Sequence, residues 1–378
     1  MMIKPVVLLT LALAVSLSAG MMHPAEGVVF PGGGNTDQPF PVDMGNLPGN
    51  PSTYKGLPLG LRDTDEPVVT PVDGLIGVVC IGMSNGSMEC TDFINRLQRG
   101  LLPGPVNAQV RVVNCAVGSH AIERWNDPAY DAVLWDACIN VKIPAGGLRP
   151  DQVRVVWHKA ASQFTTDPAG NVLPPYPDPA SDYFRFYNSL GVFAQRLQAK
   201  LPSVQAVYTS SRSYGGFSTR PPRGEPLSFE EGMALNQWLA DYPAAHGVWH
   251  GWGGYIWAPD CASGIVNGSG VCYVRDDYQE DGIHPSASGH AKVSLMLDRR
   301  FRQHGWYAPA VACDVNGDAA VDIADVQAVA GVFNQTVPPA PAAYDLHPDG
   351  LIDLQDVVLA AQCWLARGAG AGHQSGAN

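Results

Sequence analysis

Ile76-Gly77-Val78-Val79-Cys80-Ile81-Gly82-Met83-Ser84-Asn85-Gly86-Ser87 is an apolar run that ends in a glycine-rich turn around one serine. A short apolar run bounded by turn residues reads as a buried strand. A Gly-x-Ser turn at the end of such a strand holds a hydroxyl clear of its own backbone, as a serine nucleophile requires. The same residues also suit an ordinary turn, because Gly, Ser and Asn are common turn formers. What shifts the balance stands far downstream, at Asp281-Gly282-Ile283-His284-Pro285-Ser286.

Outward from this stretch, strands and helices alternate. Residues 74–81, 109–115, 152–157 and 203–209 read as strands, and 248–257 as an aromatic last strand. Residues 90–99, 183–201, 228–239 and 287–303 carry helical spacing, with Ser228 and Glu231 placed as a capping box. Valine-rich strands alternating with helices predict a parallel sheet covered on both faces. The fold class expected is α/β, a three-layer α/β/α sandwich with a mainly parallel, flavodoxin-like sheet. Ligands of such sheets bind beyond the carboxyl ends of the strands, which is where Ser84 falls.

The 378 residues suffice for one domain of about 200–250 residues plus something smaller. The chain is 46% hydrophobic and only 15% charged, with 41 Gly and 32 Pro, so it is loop-rich and neither coiled coil nor disordered. A formal charge of −12 gives no electrostatic case for nucleic acid. Lys4, the apolar run Pro5 to Leu17 and Ser18-Ala19-Gly20 read as a secretory signal peptide, with an uncleaved anchor as the alternative. Export fits eight cysteines, an even number. Cys261 with Cys272 and Cys313 with Cys363 are the expected pairs, while Cys80, Cys90, Cys115 and Cys138 leave three connectivities open. The expected organisation is a signal peptide at 1–19, a Pro/Gly-rich lead-in at 20–73, a catalytic domain at 74–306, a linker at 307–312, a small all-α calcium-loop module at 313–366 and a disordered tail at 367–378. The mature protein is expected to be secreted, or held at the cell surface or in the periplasm, and free of membrane.

A serine hydroxyl needs a base, and the base needs a group that fixes its tautomer and stabilises its charge. His284 and Asp281 are the candidates. Acyl transfer also needs donors aimed at the oxyanion; the backbone N–H groups of Ser84 and Gly118 are offered for it. His246, His250 and His290 read as packing or surface histidines, and Lys159 as a surface or supporting charge. Trp249, Trp252, Tyr255 and Trp257 suit either a sugar cleft or the core. Asn85-Gly86-Ser87 matches a glycosylation pattern, but a glycan there would block Ser84.

In order and in local residues, Gly82-Met83-Ser84-Asn85, Asn114 to Ser119, Val155 to Ser162 and Asp281 to His284 resemble the SGNH (GDSL-like) hydrolase superfamily, nearest to its carbohydrate and sialate-O-acetylesterase-like branch. Ser211-Arg212-Ser213-Tyr214-Gly215-Gly216 adds a likeness to an uncharacterised bacterial group. The resemblance covers roughly residues 74–303. It implies a Ser84–His284–Asp281 esterase that needs no cofactor for catalysis and acts on acylated carbohydrate. A lipase or thioesterase of the same superfamily, and a catalytically lapsed binding module, are the alternatives. In the superfamily an Asn side chain supplies a third oxyanion donor; Ser162 holds that place here, with Gln163 or Asn114 as substitutes.

Residues 312–378 hold eight Asp against one Arg, so −7 of the net −12 lies there. Asp314, Asn316, Asp318, Ala320 (through its carbonyl), Asp322 and Asp325 have the spacing of a calcium loop, in which hard oxygens close around one ion. Asp345, His347, Asp349, Leu351 (carbonyl), Asp353 and Asp356 repeat it, with His347 in place of an oxygen donor. An apolar helical stretch follows each loop, at 326–333 and 357–365. The duplicated loop–helix resembles a type I dockerin, which implies bound Ca2+ and a cohesin-like scaffold partner; a calcium-stabilised terminal module with no docking role is the alternative.

Overall fold

The computed structural model describes residues 67–371 apart from 164, 243–246, 265, 268, 309–312 and 317–320. The expected signal peptide, most of the lead-in and linker, His246, Asp318, Ala320 and the last seven residues of the tail lie outside the described residues.

Five strands form one sheet: β1 (Ile76–Gly82), β2 (Val110–Asn114), β3 (Val153–Lys159), β4 (Ala206–Ser210) and β5 (Trp249–Trp252). Their order is β2-β1-β3-β4-β5, and every neighbouring pair is parallel. This is the doubly wound, flavodoxin-like order, whose switch point lies between β1 and β3. Side chains alternate across each strand. Ile76, Val78 and Cys80 join Trp157 and Tyr208 in a core on one face, while Val79 and Ile81 join Val156 and Val207 on the other. Helices α1 (Ser84–Arg99) and α4 (Ala287–Arg302) pack together on the first face. Helices α2 (Asp182–Lys200) and α3 (Leu227–Asp241) pack together on the second. The sandwich therefore has three layers.

Element bounds shift where tertiary contacts decide them. Helix α1 begins at Ser84, ahead of the periodic residues 90–99, so the serine occupies its first turn. The fifth strand stops at Trp252, because the chain turns at Gly253 and Gly254; a methyl at Gly253 would lie 2.9 Å from the Ser210 hydroxyl and from the Trp157 ring. Trp252, Tyr255 and Trp257 are fully buried and belong to the core, so they do not line an open cleft. The Ser228–Glu231 capping box does not form. Helix α3 starts one residue earlier, after Pro226. The cap comes instead from Glu225, whose carboxylate accepts the N–H groups of Gly215 and Phe229 and the Trp257 indole N–H. Burial raises the pKa of this carboxyl against those donors.

All eight cysteines are paired: Cys80–Cys90, Cys115–Cys138, Cys261–Cys272 and Cys313–Cys363. The first clamps β1 to α1, just below the serine. No helix among the described residues is long and apolar enough to cross a membrane.

The C-terminal segment has its own small core of Val315, Val329, Val332, Tyr344, Ile352 and Ala360. Helices α5 (Ile323–Gly331) and α6 (Leu354–Ala371) pack together there.

Candidate active site

Two close approaches shape the turn after β1. A methyl on Gly82 would lie 2.6 Å from the Lys159 carbonyl oxygen, and one on Gly86 would lie 2.8 Å from the Lys159 Cβ. Only glycine lets the start of α1 sit this close to β3. The Gly82 carbonyl is fixed in turn by the Val117 N–H at 2.9 Å and the Trp125 indole at 3.3 Å. Ser84 is thus held at the carboxyl edge of the sheet, beside the switch point.

The Asp281–His284 loop reaches this edge from the far end of the domain. His284 Nε2 lies 2.9 Å from Ser84 Oγ, and His284 Nδ1 lies 2.5 Å from Asp281 Oδ2. The carboxylate places the imidazole proton on Nδ1, which leaves Nε2 to accept from the serine hydroxyl. Asp281 Oδ1 accepts the backbone N–H groups of Ile283 (2.9 Å) and His284 (3.0 Å). Partial burial opposes the charge, but these donors and the His284 ring hold the Asp281 carboxyl below the usual carboxylate range.

Two tethers fix the loop. The Asn85 side chain donates to the Ile283 carbonyl at 2.9 Å, so the residue after the serine holds the loop that brings the histidine. That buried amide is committed, which fits the reading that Asn85 carries no glycan. Thr219 donates through N–H and hydroxyl to the Asp281 carbonyl, at 3.0 and 3.1 Å. Gly282 has φ +65°, and a methyl on it would lie 1.8 Å from the Phe217 carbonyl oxygen. Gly282→Ala is therefore expected to cost about 2–4 kcal/mol, combining the left-handed conformation with a forced backbone shift. Urea melts give the stability, and activity should fall with it because Asp281 and His284 flank the site.

Gly118 closes the site from the β2 side. A methyl on it would lie 4.0 Å from Ser84 Cβ. The backbone N–H groups of Ser84 and Gly118 donate to no acceptor among the described residues. Ser162, by contrast, faces a different neighbourhood. Its N–H donates to Glu231 Oε1 at 2.9 Å, and its carbonyl accepts from Arg212 Nη2. Among the described residues its hydrogen bonds lead to Glu231, Arg212 and Asp182, away from the Ser84 turn. Asn114 is also committed elsewhere, donating to the Ser87 carbonyl and the Thr91 hydroxyl. The buried Arg212–Glu231 pair (2.9 Å) escaped the sequence reading; the Ser211–Gly216 segment was a signal only by resemblance. His250 packs on Trp238 and Tyr242. Burial pushes the half-buried His290 down; the histidine that meets Ser84 is His284.

In the calcium-loop segment, Asp325 accepts the N–H groups of Val315, Asn316 and Asp322. Asp356 repeats this with His347 and Asp353. Asp322 and Asp353 each cap the helix that follows, through the N–H of Ala324 and of Gln355, and Asp345 accepts from Asp349 and Gly350. The sequence repeat is thus a structural repeat. Among the described residues no group of three carboxylates, histidines or cysteines is placed to hold a metal ion.

No family model and no curated protein matches the chain. Among solved structures, it is similar to one described as an acylhydrolase from Bacteroides fragilis, with 11% identity and a TM-score of 0.38, covering 62% of this chain and 90% of that one. It is also similar to the salicylyl-acyltransferase SsfX3 from a tetracycline biosynthetic pathway, with 11% identity and a TM-score of 0.31, covering 65% of this chain and 56% of that one. At these scores the likenesses carry no argument about chemistry.

Proposed function

We propose that the chain is an exported carboxylic ester hydrolase that forms an acyl-enzyme at Ser84, with acetylated carbohydrate as its substrate. The observation that carries this reading is the hydrogen-bonded line Asp281–His284–Ser84 at the carboxyl edge of the sheet. In this mechanism His284 Nε2 takes the Ser84 proton as Oγ attacks the ester carbonyl. The N–H groups of Ser84 and Gly118 receive the oxyanion, and Asp281 stabilises the imidazolium. His284 then hands the proton to the departing alkoxide, and water repeats the sequence on the acyl-enzyme. Ser162 is the candidate for a third donor; its hydroxyl pairs with Asp182, which favours a hole of two backbone donors. One donor is worth about 2.7–4 kcal/mol of transition-state stabilisation, so the enzyme is expected to be slow.

The N-terminal apolar segment and four disulfides support export. Carbohydrate as substrate rests on the superfamily resemblance and the dockerin-like repeat. The test is a fluorophosphonate probe: one adduct, on Ser84, gained in step with loss of acetyl-ester hydrolysis. An enzyme that stays active without an adduct at Ser84 would rule the reading out.

The same proposal gives the C-terminal module Ca2+ ligated by the aspartates of its two loops, with a cohesin-like partner. The alternating hard oxygens fit that ion, less well at His347. Calcium at about 100 times its Kd is expected to stabilise the module by about 2.7 kcal/mol, read as a rise in Tm that chelator reverses. An unchanged Tm would remove calcium from the account.

A further inference from the structure

The chain leaving β2 makes a tight turn at Val117-Gly118-Ser119-His120. The His120 N–H closes it on the Val117 carbonyl at 3.2 Å, and Ser119, its third residue, has φ +62°. A type II turn needs a positive φ at that place and usually fills it with glycine. An L side chain is strained there, and such strain persists only where the surroundings over-determine the backbone. His120 supplies much of that constraint.

His120 Nδ1 lies 2.7 Å from the Gly118 carbonyl oxygen. A carbonyl only accepts, so Nδ1 carries the proton. The ring meets Tyr130 edge-on, with 5.8 Å between centroids. The His120 carbonyl in turn accepts the Trp125 indole N–H at 3.1 Å, and the same indole nitrogen lies 3.3 Å from the Gly82 carbonyl at the end of β1. Trp125 is fully buried and packs against Trp135. His120 thus engages the carbonyls of Val117 and Gly118 and is tied through Trp125 to the turn that carries Ser84. The consequence falls on the Gly118 N–H. A peptide unit is planar and trans, so the Val117 carbonyl and the Gly118 N–H share one plane and point opposite ways. Pinning the oxygen aims the N–H, which donates to no acceptor among the described residues.

We propose that His120 is a positioning residue for the oxyanion. By holding the Val117 and Gly118 carbonyls it fixes the direction of the Gly118 N–H before any substrate arrives. Donors aimed in advance are effective because they need no reorganisation during the reaction. The Ser162 hydroxyl is engaged with Asp182, so a misdirected Gly118 N–H has no third donor to make up for it. His120 touches no reacting atom and acts through Gly118. The inference rests on the reading of Ser84 as the nucleophile that forms the acyl-enzyme.

The test compares the full chain with His120→Ala, His120→Phe and His120→Asn, on an acetyl ester and on phenylboronic acid. The boronic acid probes the hole without turnover: Ser84 Oγ bonds to boron, its proton passes to His284, and the tetrahedral adduct offers an oxygen to Gly118. His120→Ala is expected to lower kcat about 10–100-fold, less than the loss of about 10²–10³ for a missing donor. KM should stay within about twofold, and boronate affinity should fall about tenfold, because the effect is confined to the tetrahedral state. His120→Phe keeps a ring beside Tyr130 without the donor and should lose as much as alanine. His120→Asn gives up the ring but offers an amide N–H in place of Nδ1, and should recover most of the loss. His120 is partly exposed, and urea melts check that each variant is folded. No boronate binding by the wild type, unchanged kcat and boronate affinity in His120→Ala, a phenylalanine variant as good as wild type, or an asparagine variant no better than alanine would each overturn the proposal, and none of these touches the esterase reading. A wild type whose boronate affinity depends on His120 but which hydrolyses no acetyl ester would sink the esterase reading and leave the role of His120 standing.

Discussion

Ser84→Ala is expected to lower kcat on short acyl esters by about 10⁴–10⁶-fold with little change in stability. The rate effect follows from what the side chain does: among the described residues its one hydrogen bond is to His284 Nε2, at 2.9 Å. Removing the oxygen removes the nucleophile, and the remaining machinery then has nothing to deprotonate. What survives is the part of the site that does not need Oγ, the backbone donors at residue 84 and Gly118, and such residual catalysis is about 10³–10⁴-fold over water in a well-studied serine protease. Stability should stay within about 0.5 kcal/mol, because Ser84 is half-exposed and its backbone is set by Gly82 and Gly86. His284→Ala should cost nearly as much activity as Ser84→Ala, and the double variant little more than either, because the two act as one unit. The measurement is a single-turnover and steady-state comparison on an acetyl ester, with urea melts alongside. Equal rates for wild type and Ser84→Ala would end the esterase reading, and additive losses in the double variant would break the proton-transfer link.

The strands were readable because each combines Val-rich composition with short length, and both faces of a central parallel sheet must be apolar. Ser84, His284 and Asp281 were readable because turn residues and a three-residue spacing are local facts. Features that depend on distant chain segments were not. Four cysteines resist pairing by sequence because either partner of Cys80 or Cys115 suits a strand-to-helix clamp; the register of β1 against β2 settles it. Ser228 looked like a cap because of its spacing to Glu231, yet Glu231 is taken by Arg212 and Ser162. Ser162 occupies the sequence place of an oxyanion donor, but it lies past the end of β3, where sequence does not say which neighbour its hydroxyl serves. Lys159 is the largest such gap. A lysine between a histidine and two alanines reads as either a surface or a supporting charge, and its burial beside Glu89 fits the second.

Lys159→Met is expected to destabilise the fold by about 3–5 kcal/mol at about pH 8, the usual cost of removing one partner from a buried ion pair. Lys159 Nζ lies 3.9 Å from Glu89 Oε2 and donates to the Ser211 carbonyl at 2.5 Å; the two charged side chains are 3% and 0% exposed. Among the described residues neither Glu89 carboxyl oxygen has a hydrogen-bond partner, so the lysine is its main compensation. Burial pushes the Glu89 carboxyl up and the Lys159 ammonium down, and each opposes the shift of the other. Methionine keeps the stem that packs under Gly86 but leaves the carboxyl alone in the core. The sign of the pH dependence follows. A carboxyl whose folded pKa is raised binds its proton more readily in the folded than in the unfolded state, so stability falls as pH rises from the unfolded value toward the folded one. Without Lys159 that folded value rises further, so the cost of the substitution should be largest at alkaline pH. It should shrink toward about pH 4.5 and below, where Glu89 is protonated in both states. Lys159→Met combined with Glu89→Met should recover most of the loss, because a buried pair replaced by apolar side chains is often neutral or stabilising. Urea melts of the three variants across pH decide it. A single variant whose cost does not change with pH, or a double variant no more stable than Lys159→Met, would show that the lysine acts through Ser211 and the segment it anchors, and that Glu89 is not what it compensates.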